Sequence, residues 1–149
     1  AVTASWILRR GFANATALMG FVRNIDPQLC LAARTAGLLT VGDQMIAPAI
    51  VELREAQLQA ERFPGWEQTP LTSDLIAIDA YERRTWAQLD HVTCPSDYVR
   101  EGLLAQGLSP QKVTTIPYAV DETTFTMPDR RDRGGPMLVG FVGSVNLRK

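Results

Sequence analysis

Histidine and cysteine are scarce in this chain, with one His and two Cys in 149 residues. Too few of either are present for a zinc constellation or a disulfide framework, so a reducing cytoplasm is the expected compartment. Charge of one sign is lacking too. Fifteen Lys and Arg against 16 Asp and Glu leave a formal net charge of −1, and without clustered cations there is no broad surface for the phosphates of a nucleic acid. No apolar run approaches the roughly 20 residues of a membrane span. No Gly-x-Gly-x-x-Gly fingerprint is present, which argues against a dinucleotide-dependent oxidoreductase. Neither an initiator Met nor a charged leader opens the chain, and Ala1 reads as lying inside a helix, so the expectation is an internal piece of a larger protein.

What is there is ordinary globular material, 46% hydrophobic and 21% charged, enough for one core. Helix and strand signals alternate along it. Asp26-Pro27 opens a helix that Gly37 closes, and a short strand, Leu38 to Gly42, follows. Pro48 opens a helix to about Arg62, with Ile50, Leu53, Ala56 and Ala60 on one face. Ser73 or Asp74 caps a third helix to Leu89, carrying Leu75, Ile78, Thr85 and Leu89 inward. The strand Val92 to Pro95, a helix from Ser96 to Gln106 closed by Gly107, and a strand from Val113 to Ile116 complete the pattern. Such βα units imply an α/β fold, an incomplete Rossmann-like parallel sheet with helices on both faces. The polar stretch 129–136 reads as a domain joint, and Met137 to Val142 as a strand buried on both faces. The expected division is therefore 1–128 as one domain, 129–136 as linker, and 137–149 as the start of a second.

Few side chains stand out chemically. Asp43 and Gln44 lie at the carboxyl end of a strand, where acceptor hydroxyls could be bound and where polar loop residues are also common. Gly143 and Lys149 follow the last strand, where glycine admits a phosphate close to the backbone and an ammonium can neutralise a diphosphate; a glycine turn and a solvated basic end are the plain alternative. Cys30 and Cys94 read as buried hydrophobes, since alternation need not bring His91 to the face that Cys94 occupies. His91 itself reads as an exposed histidine. Trp6, Trp66 and Trp86 read as core packing and loop anchors, and Glu52, Glu55, Gln59 and Arg62 as a solvated face.

Strand-Pro95-Ser96 with its capped helix, then Lys112-Val113 to Ile116-Pro117-Tyr118 and Val120-Asp121 with Phe125, resembles the interdomain passage of glycosyltransferase family 4. Gly140-Phe141-Val142-Gly143 ending in Arg148-Lys149 resembles the opening of that family's donor-binding domain. The resemblance implies two facing Rossmann-like domains, the GT-B architecture. It implies a nucleotide-sugar donor held by the second domain, an acceptor (saccharide, lipid or protein) held by the first, and a hexosyltransferase reaction with retention and no obligatory metal or cofactor. Gly143, Ser144, Arg148 and Lys149 would contact the donor diphosphate, with Asp43 and Gln44 on the acceptor side and no catalytic residue within the chain. Ala119 stands where the family usually has Gly, and Ser144 where it commonly has Arg. The resemblance further implies a cytoplasmic location, or one peripheral at the membrane in the complete protein, and a fragment inactive by itself. A non-enzymatic interaction module is the alternative.

Overall fold

The computed structural model describes residues 2–66, 72–125, 135–136 and 139–143. Helix α1 (Val2–Arg10) leads to strand β1 (Ala17–Phe21), then α2 (Pro27–Thr35), β2 (Leu39–Asp43), α3 (Ala49–Arg62), α4 (Thr72–Gln88), β3 (His91–Cys94), α5 (Asp97–Ala105), a 3-10 turn at Pro110–Lys112 and β4 (Val113–Thr115). The local chemistry accounts for most boundaries. Asp26 accepts a hydrogen bond from Gln28 N, with Pro27 in the first turn of α2, and Gly37 follows the helix at φ 83°. Ser96 accepts from Val99 N at the start of α5, and Gly107 takes φ 91° beyond its end.

The four strands form one parallel sheet in the order β1-β2-β3-β4. A sequential order with right-handed crossovers sends every connection over the same side, and burial follows that rule. Val22, Val92, Cys94 and Val113 point into a core with Cys30 of α2, Trp86 of α4, Leu89, and Val99 and Leu103 of α5. The opposite face carries Met19, Phe21 and Leu39, which are 65%, 47% and 53% exposed, beside the half-buried Val41, Asp43, His91 and Thr93. The expectation of helices on both faces is thus corrected. The strand order never reverses within these residues, so right-handedness covers only one side.

Further expectations are corrected. Strand β1 has no signal in the sequence, because Ala17 to Phe21 shows neither a β-branched run nor clear polar alternation. On α4 the deepest side chains are Glu82, Thr85 and Trp86, while Leu75 and Ile78 are only half-buried. Glu52 does not belong to a solvated face; it pairs with Arg23. Trp86 is core, whereas Trp6 and Trp66 are exposed. Finally, residues 139–142 are not in a strand, and Val139, Phe141 and Val142 are exposed. A strand needs a neighbour to complete its ladder, and none of the described strands pairs with this segment. Met137 and Leu138 lie outside the described residues, as does most of 129–136.

Candidate functional site

Beyond the carboxyl ends of β1 and β2 the chain forms a half-open cavity of about 90 Å³ lined by residues 21–24 and 43–46. Ligands of open α/β sheets bind at this end because the loops leaving the strands diverge there. The parallel ladder carries on into the lining: Val22 N donates to Asp43 O at 3.0 Å, and Gln44 N to Thr93 O at 2.8 Å.

Beneath the cavity a polar network fixes its shape. Glu82 of α4 is fully buried. Its Oε1 accepts from Arg23 Nε at 2.7 Å and from Gln44 Nε2 at 2.8 Å, and its Oε2 accepts from Ala49 N at 2.8 Å. The last bond matters to α3, whose first residue follows a Pro48 that offers no side-chain cap; a carboxylate from another helix satisfies one orphan N–H and faces the positive end of the helix dipole. Arg23 Nη2 also donates to Glu52 Oε2 and to Ala47 O, each at 2.9 Å. Burial works to lower the Arg23 pKa, but the hydrogen bonds and charges of Glu82 and Glu52 outweigh it and hold the guanidinium above its ordinary value. Trp86 Nε1 donates to Gln44 Oε1 at 3.0 Å, and Gln44 Nε2 reaches Ile46 O at 3.0 Å.

Asp43 and Gln44 are both in the cavity wall, with different freedom. Gln44 is 1% exposed and spends its amide on Trp86, Glu82 and Ile46, so it shapes the floor. Asp43 is half-buried; its Oδ1 accepts from Thr93 Oγ1 at 3.0 Å, and its Oδ2 has no hydrogen-bond partner among the described residues. Gly143 is described, outside any strand, while Ser144, Arg148 and Lys149 lie outside the described residues. His91 is half-buried at the start of β3, its Nε2 2.8 Å from Thr114 Oγ1 on the open face, and Cys94 faces the core. Burial, with Asp26 adding to it, pushes the Cys30 thiol up to about 11. No group of three His, Cys, Asp or Glu among the described residues could hold a metal ion.

Phe21, Arg23 and Glu82 were not singled out from the sequence. Glu82 carried a legible signal: it falls between Ile78 and Thr85 on the inward stripe of α4, where a carboxylate must have a partner. The segment after β4 returns to the cavity. Tyr118 Oη donates to Met45 O at 3.2 Å, across 73 positions of sequence. Three positions on in sequence, Asp121 accepts from Thr123 Oγ1 at 2.6 Å, Thr124 Oγ1 at 2.7 Å and Thr123 N at 2.9 Å, and these bonds hold its carboxyl down at about 2. Ala119 needs no left-handed backbone, since Ala13 is the one non-glycine residue with positive φ among those described.

No described helix is long and apolar enough to cross a membrane. No curated protein and no solved structure matches the chain. The family model Glycosyltransferase Family 4 matches residues 53–124. That stretch supplies Glu82 and Trp86 beneath the cavity and Tyr118 at its rim. Residues 53–124 are thus similar to glycosyltransferase family 4, and they are built into a parallel α/β sheet of Rossmann type.

Proposed function

We propose that the chain is the acceptor-side part of a two-domain glycosyltransferase of GT-B architecture. Residues 1–128 belong to the acceptor domain, 129–136 to the linker and 137–149 to the opening of the donor domain. The observation that carries this reading is the meeting of the family-matched stretch with the cavity: Glu82, Trp86 and Tyr118 tie α4 and the post-β4 segment to residues 23, 44 and 45 at the strand ends.

The reaction on this reading moves a hexosyl group from a nucleoside diphosphate sugar to an acceptor hydroxyl with retention. Neutralising the departing diphosphate is the main electrostatic task. Gly143, Ser144, Arg148 and Lys149 are assigned to it, and Asp43 to the acceptor side with Gln44 supporting it from below.

The test extends the reading frame past Lys149 and follows nucleoside diphosphate release from uridine and guanosine diphosphate sugars. Lys149→Ala should cost about tenfold or more in turnover, since a charge-assisted phosphate contact is worth roughly 1.5–3 kcal/mol. No release with any donor would refute the reading. Calorimetry on residues 1–149 alone should show no tight nucleotide-sugar binding; micromolar affinity there would move the donor site out of the second domain.

A further inference from the structure

The open face of the sheet ends, at the cavity, in a row of three side chains that the register dictates. Phe21 is the direct partner of Asp43, and Asp43 of Thr93. Partners in adjacent parallel strands project from the same face, so an aromatic ring, a carboxylate and a hydroxyl stand side by side. Phe21 is 47% exposed although it is a large apolar residue at a cavity wall. Thr93 Oγ1 orients Asp43 through Oδ1 and leaves Oδ2 without a partner among the described residues.

We propose that the acceptor is a saccharide, its terminal pyranose lying with one C–H face on the Phe21 ring and its hydroxyls donating to Asp43. This rests on the transferase reading above and adds the substrate class. A pyranose has an apolar face bordered by hydroxyls, which is the complement of an exposed ring beside a carboxylate acceptor. Anionic acceptors are disfavoured. The one cation among the lining residues, Arg23, is already paired with both Glu52 and Glu82, so its charge is more than compensated and, with Asp43, the surrounding charge is negative. A phosphate or carboxylate arriving here would meet Asp43 without a free counter-charge.

The experiment titrates the 149-residue chain with methyl glycosides of glucose, galactose, mannose and N-acetylglucosamine, following backbone amide shifts by NMR. Inorganic phosphate and ethanolamine serve as comparison probes. At least one glycoside should bind saturably in the millimolar range, with shifts confined to residues 21–24, 43–46 and 93. Phe21→Leu, which keeps an apolar side chain but removes the ring, should weaken binding about fivefold or more, and Asp43→Asn about tenfold. Both changes are at exposed or half-buried positions, and an unchanged spectrum outside the cavity shows that the fold is retained. Absence of glycoside binding by a folded chain, undiminished binding by either variant, or preferential binding of phosphate or ethanolamine at these residues would overturn the proposal. The two readings fail separately. Transfer by the extended protein to a non-saccharide acceptor alone would remove the saccharide assignment and leave the transferase, whereas glycoside binding at Phe21 and Asp43 without any sugar transfer would remove the transferase and leave a saccharide-binding site.

Discussion

Glu82→Ala is the perturbation with the best-defined cost. The wild-type carboxylate is fully buried and accepts three hydrogen bonds, from Arg23 Nε, Gln44 Nε2 and Ala49 N. Its removal leaves Gln44 with Ile46 O and Arg23 with Glu52 and Ala47 O, but strands the Ala49 N–H at the start of α3 and opens a void at a fully buried position. Breaking a buried, hydrogen-bonded ion pair from one side costs about 3–5 kcal/mol. Against a total stability of roughly 5–15 kcal/mol that is a large share, corresponding to on the order of 10–20 °C in Tm for a domain of this size. Glu82→Gln should fall between, because its amide must turn a donor toward either Arg23 or Ala49. Glu52→Gln, which leaves the Arg23–Glu82 bond in place, should lose only about 1–2 kcal/mol. Urea unfolding followed by circular dichroism gives the three values. A loss below about 1 kcal/mol for Glu82→Ala, or a coupling below about 0.5 kcal/mol in an Arg23→Met/Glu82→Met cycle, would refute this account of the network.

Gly42→Ala should destabilise by about 1–3 kcal/mol through overpacking, because a Cβ there meets Leu89 Cδ1 and, at 2.9 Å, Val22 Cγ2; Gly140→Ala, with nothing within 4 Å, should be silent in the same melting assay. Thr40 N–H and Thr40 Oγ1 hold the Asp90 carboxyl below the usual carboxylate range, against the effect of burial. The depressed folded-state pKa means that the stabilisation is complete above the ordinary Asp value and is lost as pH falls through the folded one. Asp90→Asn should therefore flatten stability against pH on the acid side, and an unchanged acid limb would disprove the assignment. Deleting residues 137–149 should raise soluble yield and lower light scattering, because Val139, Phe141 and Val142 present apolar side chains to solvent; equal yields would count against it.

The βα rhythm was legible because its punctuation is local. Asp26-Pro27, Ser96 and Gly107 act within one turn of chain, and the helices they bound lie within a residue or two of the expected limits. Strand β1 was not legible: Ala17, Met19 and Phe21 face solvent, so neither alternation nor a buried run betrays it. The sidedness of the sheet depends on strand order, a property of the whole crossover sequence rather than of any window. In the site, the strand-end position of Asp43 could be read, while the Phe21–Asp43 row could not, since it exists only through the register of two strands 22 positions apart. Glu82 was visible as a charge on an apolar stripe, but its partners Arg23 and Gln44 lie 59 and 38 positions away.

The sequential strand order has a consequence for how such a sheet can grow. Any strand added beyond β4 in the same sense brings its connection over the side that α2 to α5 already occupy, and only thickens that layer. A strand added beyond β1 by a right-handed connection reverses the direction of winding, so its helix falls across Met19 and Leu39. Where winding reverses, neighbouring connections part and leave a cleft. The two edges of the sheet are therefore unequal: handedness reserves the β1 border for a cleft, and the ring of Phe21 already stands on its lip.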